Sequence, residues 1–237
     1  IASGHKALYG KVKKRIDYVQ DGSTSLDPFG HGTHIAGLIA GLASASSGVT
    51  TAYTGGIAPG ALLYDVRVLG ADGTGLTSDV IDGIDWVIDN AQTYNIRIIN
   101  LSLGHAVMES SATDPLCLAV KRAVDAGIVV VASAGNRGKT DAGQPILGGI
   151  TSPGNSPYAI TVGALNTFQT VQRSDDSVTT YSSRGPTRFD LAVKPDVVAP
   201  GNKVVSLTSP GSYLRTAYPT THVAGNGSNA YMRLSGS

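Results

Sequence analysis

Gly30-His31-Gly32-Thr33-His34 sets a histidine between two glycines at the start of a small-residue, helix-forming run, His31 to Ala43. A histidine at a helix start leaves one ring face open. Its near-neutral pKa lets it take a proton from a hydroxyl nucleophile and hand it back. The bland reading of the same residues is a capped helix with buried histidines. Two later turns bear on that choice: Ser102-Leu103-Gly104 and Ala132-Ser133-Ala134-Gly135-Asn136 each follow an apolar run and are built from small residues. Small side chains let an extended peptide approach the backbone, and an asparagine at a strand end can aim its amide N–H at an oxygen that gains negative charge. Taken alone, Asn136 would be an ordinary turn asparagine. Gly73-Thr74-Gly75 could be read as a phosphate loop, but no lysine follows it and the pattern of a nucleotide site is incomplete.

These residues need elements to hold them, and the hydrophobic pattern supplies strands and helices in alternation. Residues 61–69 predict a strand, and Val80, Ile84, Val87 and Ala91 recur at helical spacing, so 77–94 predicts an amphipathic helix with Thr77 or Ser78 as its cap. Residues 96–103 predict an apolar strand, 116–125 a helix ending at Gly127, and 128–132 a strand buried on both faces. Residues 44–56 read as a surface loop. The strand, helix, strand order predicts right-handed crossovers in a mostly parallel sheet with both faces covered, and places sites at the carboxyl ends of the strands. Thr221-His222-Val223-Ala224-Gly225 echoes Thr33-His34-Ile35-Ala36-Gly37. It lacks the preceding His-Gly, and its setting predicts a solvated loop histidine.

The chain of 237 residues suffices for one large α/β domain, and no linker-like stretch divides it. A formal charge of +1 argues against nucleic acid or an anionic membrane surface as partner. No apolar run reaches the length of a membrane span, and the residues after Ile1 carry no targeting segment. The one cysteine, Cys117, excludes an intrachain disulfide, and its apolar neighbours predict a buried thiol.

In chain order, the His31 motif, Asn100-Leu101-Ser102-Leu103-Gly104, Ala132 to Asn136, Tyr181-Ser182-Ser183-Arg184-Gly185-Pro186 and Lys194-Pro195-Asp196-Val197-Val198-Ala199-Pro200-Gly201 resemble the subtilisin-like serine peptidases. The resemblance spans roughly residues 15 to 237, and five motifs in order are far more specific than one. It implies a three-layer α/β/α fold with a mostly parallel, doubly wound sheet, incomplete at both termini. It implies a serine endopeptidase with a Ser-His-Asp triad, His31 as the general base and Asn136 as the oxyanion-hole residue. The same resemblance makes Gly73-Thr74-Gly75 and Ser102-Leu103-Gly104 the segments that flank substrate as added strands. Ser133-Ala134-Gly135 then forms a wall of the primary specificity pocket. No catalytic metal is implied, and a structural calcium or sodium ion stays open. The implied partners are polypeptide substrates and the missing terminal segments or a propeptide, and the implied location is secreted, with intracellular relatives known in the family.

Two parts of the family pattern have no match. The catalytic aspartate should end an apolar strand in Asp-Thr-Gly or Asp-Ser-Gly, and no such motif is present. Ile16-Asp17-Tyr18 follows a basic stretch only 14 positions before His31, so Lys11 to Asp21 is read as a later, exposed strand with Asp17 and Asp21 solvated. Leu234-Ser235-Gly236-Ser237 resembles the start of the family's nucleophile motif: aligned from Ser235-Gly236, Ser237 falls on its threonine position and the nucleophilic serine is expected at the next residue, whereas with one residue deleted Ser237 itself would be the nucleophile. The 237 residues by themselves are therefore expected to be a poor enzyme, and a non-catalytic peptide-binding module on the same fold is the competing reading. An unrelated hydrolase would need a Gly-x-Ser-x-Gly elbow, which Gly225-Asn226-Gly227-Ser228-Asn229 does not supply.

Overall fold

The basic run after Gly10 becomes β1 (Val12–Asp17), half exposed along its length, in the computed structural model, which describes residues 1–23 and 25–237. It is followed by α1 (His31–Ala40), β2 (Leu63–Arg67) and α2 (Thr77–Tyr94). The chain gathers into two compact units, one of Ile1–Gly83 with Lys203–Leu234, the other of Ile84–Asn202 with Ser235–Ser237.

In the first unit β1 and β2 pair in parallel, with Asp17 beside Arg67. α1 is shorter than the pattern implied. Its run of small residues continues to Ala43, but Gly41 is extended (φ −67°, ψ 145°) and Ala43–Ser46 form a single 3-10 turn. The helix stops because Tyr53 occupies the space beyond it: its hydroxyl donates to the Gly37 carbonyl at 2.8 Å, and a Cβ on Gly41 would run into that hydroxyl. Leu8, Ala36, Tyr53, Leu207 and Tyr231 form the core here. A fully buried side chain the size of leucine contributes about 1.5–3 kcal/mol.

The C-terminal part of the first unit holds β8 (Val204–Leu207), α4 (Tyr213–Ala217), β9 (His222–Ala224) and β10 (Tyr231–Leu234), numbered after the five strands of the second unit. They form an antiparallel sheet in the order β8-β10-β9. His222 is therefore half-buried in a strand, opposite Met232, and is not the solvated loop residue its polar neighbours suggested. Burial first, with Arg215 adding to it, lowers its pKa. Pairing with Tyr231–Leu234, whose Tyr231 and Met232 are buried, draws His222–Ala224 into the sheet, a long-range effect that local composition does not carry.

The second unit holds β3 (Ile98–Leu101), α3 (Pro115–Asp125), β4 (Val129–Ser133), β5 (Ile160–Asn166), β6 (Ser177–Val178) and β7 (Val197–Pro200). β3, β4, β5 and β7 pair in parallel and β6 adds antiparallel to β5. Asp114 caps α3 by accepting from Leu116 N (2.8 Å) and Cys117 N (3.3 Å), with Pro115 at the first helical position. Leu116, Ala119, Val120 and Ala123 of α3 are buried, as are Ile99, Leu101, Val130 and Ala132 on one face of the sheet. β4 is not buried on both faces as its continuous apolar run implied: Val129 is 46% exposed, and Ile98 and Ile160 on the same face are similarly open. Cys117 is a free, buried thiol whose pKa burial pushes up to about 12, which keeps it protonated and unreactive.

Candidate active site

His31 is the first residue of α1, directly after Gly30, whose φ of +102° is a conformation that favours glycine. Gly30 has no side chain with which to cap the helix. The buried carboxylate of Asp27 does that work: Oδ1 accepts from Gly30 N (2.8 Å), and Oδ2 accepts from Thr33 N (2.7 Å) and Thr33 Oγ1 (2.5 Å). Asp27 was not singled out in the sequence. Its signal is an Asp-Pro turn four residues before a helix start, a common capping arrangement. The loop is fixed from outside as well. Tyr213 N donates to Pro28 O (2.8 Å), Leu214 N donates to Phe29 O (3.1 Å), and the Tyr213 ring stacks on Phe29 at 5.5 Å between centroids.

His31 is half-buried. Burial lowers its pKa from the usual 6.5, and the nearby Asp27 carboxylate opposes that in part. Among the described residues no side chain hydrogen-bonds to the His31 ring, and both Asp27 oxygens are taken up by the cap. His34, one turn on, is fully enclosed, and burial with the neighbouring His31 lowers its pKa to about 4. It is a core histidine.

Gly73-Thr74-Gly75 belongs to the same unit as His31 and forms a tight turn, with Gly70 N donating to Thr74 O at 2.7 Å. A Cβ at Gly73 would lie 2.6 Å from the Phe29 ring, so this segment packs against the loop that carries His31. Asp17 and Asp21 are not merely solvated, as a basic, exposed strand implied. Arg67, at the end of β2 and only 8% exposed, pairs with Asp17 (3.2 Å) and with Asp21, while Arg15 also reaches Asp17 (2.9 Å). A buried guanidinium needs partners, and the parallel register brings these carboxylates to it.

In the second unit the two strand-end turns meet a common wall. Ser102-Leu103-Gly104 follows β3, and Ser133-Ala134-Gly135 ends β4 and continues past it. His105 and Ser152 exchange backbone bonds of 3.0 Å in both directions, and Thr151 N donates to Ala134 O at 3.1 Å. The Ser133 hydroxyl lies 3.5 Å from Leu103 O. Gly135, at φ +96°, turns the chain beneath Thr151 and Ser183, and Ser183 N donates to its carbonyl at 2.8 Å.

Asn136 stands just beyond. Its Oδ1 accepts from Ser237 N at 3.0 Å and lies 3.1 Å from Ser237 Oγ. That Oγ also accepts from Gly135 N (3.0 Å) and approaches Gly135 O (2.9 Å). With donors gathered at Oδ1, the Asn136 amide is oriented and its Nδ2 hydrogens are left to donate elsewhere. Gly236 N donates to Gly201 O at 3.0 Å, so the tail is anchored on both sides of Gly236. The role of Ser237 as a brace for Asn136 was not foreseen, since it depends on a contact across about a hundred residues. Among the described residues no group of three or more His, Cys, Asp or Glu side chains gathers to hold a metal ion, and no helix is long and apolar enough to cross a membrane.

A parallel α/β sheet with a helix-start histidine and a strand-end asparagine defines a class, and the family comparison names it: the subtilase family model (Peptidase_S8) matches residues 2–237, and the chain belongs to the subtilase family. Among its relatives, the serine protease AprX of Bacillus subtilis (strain 168) is 39% identical over 98% of this chain and 50% of its own length. Subtilisin E of the same organism is 38% identical over 90% of the chain and 47% of its own length. The chain thus spans about half the length of these relatives. Two solved structures superpose with a TM-score of 0.72: the S41 psychrophilic protease, 31% identical over 100% of this chain and 68% of its own, and Sphericase, 28% identical over 99% and 68%.

Proposed function

We propose that the protein containing this chain is a serine endopeptidase acting on polypeptides. His31 takes the proton of a serine hydroxyl as it attacks the scissile carbonyl and then delivers it to the leaving amine. An aspartate, expected upstream in the family pattern, orients the His31 ring. Asn136 Nδ2 donates to the oxyanion, and substrate backbone runs along Gly73-Thr74-Gly75 and Ser102-Leu103-Gly104 with its first side chain against Ser133-Ala134-Gly135. The observation that carries this reading is the Asn136 amide, whose oxygen is held by Ser237 while its hydrogens stay available. A bound calcium ion would serve structure. The reading includes secretion, in keeping with a Thermus relative named extracellular serine proteinase.

The competing reading is a peptide-binding module without turnover. Residues 1–237 alone, in which the family's aspartate and serine motifs find no match, are expected to turn over peptide poorly. The two readings separate on hydrolysis of an internally quenched peptide by the full-length protein. Turnover that His31→Ala abolishes supports the peptidase. Tight binding without turnover, or turnover that His31→Ala leaves intact, contradicts it.

A further inference from the structure

Asp21 looks like one more exposed carboxylate on a polar loop, yet its Oδ2 does two things at once. It pairs with the buried Arg67 guanidinium at the end of β2, and it accepts a hydrogen bond from Ala71 N at 3.2 Å. Ala71 opens the turn whose far side is Gly73-Thr74-Gly75. Inside that turn Asp72 Oδ1 accepts from Thr74 N (2.9 Å) and Thr74 Oγ1 (2.8 Å), and Gly73 N donates to Gly70 O (3.1 Å). The turn is thus stiff within itself, and Asp21 is the ionic link between it and the β1–β2 pair.

On the other side of Arg67 the network continues to the histidine loop. Asp17 takes Arg67 and Arg15, and Arg15 Nη1 donates to Leu26 O (2.7 Å), the carbonyl just before the Asp27 cap. Charge-assisted bonds of this kind fix geometry better than neutral ones, and the guanidinium fork can hold two carboxylates at a set spacing.

We infer that Asp21 is a positioning residue for substrate binding: through Arg67 it holds the Ala71–Gly75 turn at the height where an extended polypeptide backbone adds as a strand. This rests on the proposed peptidase reading. Asp21 touches no reacting atom, so its loss should weaken the grip on long substrates and leave the chemical step alone. The Arg67 hydrogen bond lowers the pKa of its carboxyl.

The test uses the full-length protein with two substrates, an internally quenched peptide long enough to lie along residues 73–75 and a single-residue ester that is not. Asp21→Ala should raise KM for the peptide about five- to tenfold, the worth of one lost tether, with kcat and ester turnover unchanged. Asp21→Glu should restore KM. Asp17→Ala removes a partner of the same buried Arg67 without touching the turn, so it should leave the peptide KM in place. The inference is overturned if Asp21→Ala leaves KM unchanged, if peptide and ester suffer alike, or if Asp17→Ala reproduces the effect. Should the wild-type protein show no His31-dependent hydrolysis, the peptidase reading itself fails. Amide exchange then decides the tether: faster exchange at residues 71–75 in Asp21→Ala but not in Asp17→Ala supports it, and equal exchange in the two variants overturns it.

Discussion

The loop before His31 and the turn that carries Asn136 are held by different means. The first is held largely by side chains: a buried carboxylate caps the helix, Tyr213 stacks on Phe29, and an Asp-Arg-Asp network ties the neighbouring strands. The second is held largely by backbone, with bonds among residues 105, 134, 135, 151, 152 and 183 and a brace from Ser237. A side-chain clamp concentrates its strength in a few groups, so one substitution can release it. A backbone clamp is spread over many bonds and tolerates the loss of any one side chain. The contrast suits the proposed roles: a base that must exchange a proton sits at a helix start behind a side-chain-clamped loop, and an oxyanion donor that must not move sits on the backbone-held turn after a strand.

The comparison can be broken most severely at the two polar side chains themselves. His31→Ala in the full-length protein should lower kcat by about 10⁶, the magnitude found when a subtilisin loses its triad histidine. Steady-state peptide hydrolysis reads it, and a loss of tenfold or less would remove His31 from the mechanism. Asn136→Ala should cost about 10²–10³ in kcat with KM little changed, again a scale set on a subtilisin. A change confined to KM would mean that Asn136 binds substrate and does not meet the oxyanion.

The buried histidine His34 gives the first region a pH dependence. An unfolded histidine binds its proton near pH 6.5, whereas burial holds the folded His34 neutral down to about 4. Between those values the unfolded state binds more protons. Stability is therefore full above pH 6.5 and falls as the pH drops toward 4, by up to about 3 kcal/mol, which urea unfolding across that range measures.

The smaller effects sharpen the contrast between the clamps. Asp27→Ala leaves buried N–H groups of Gly30 and Thr33 without acceptors and should cost about 2–3 kcal/mol in urea unfolding. Ser183→Ala, which removes the acceptor of Arg137 N but none of the backbone bonds around Gly135, should cost only about 1 kcal/mol. Equal losses would mean the two regions are built alike.

Much of this was legible in the sequence where the signal is local. The 77–94 helix begins and ends where its apolar spacing places it, although Thr77 and Ser78, expected as its cap, are its first two helical residues, and Gly127 follows the end of α3 as expected. Partner-dependent features were not legible. The pairing of His222 with Met232, the exposure of Val129, the shortening of α1 by Tyr53 and the ion pairs of Asp17 and Asp21 all arise from residues distant in the chain. The site divides the same way: the small-residue turns and His31 announce themselves by type, while Asp27, Arg67 and Ser237 act only through contacts made on folding.

The central claim is a serine nucleophile served by His31, and the most direct measurement is the intact mass of the full-length protein after treatment with a fluorophosphonate. The account predicts one phosphonyl adduct per molecule on a serine in the wild-type protein and none on His31→Ala. A protein that binds peptide yet takes no adduct, or one that His31→Ala labels as fast as wild type, would contradict it.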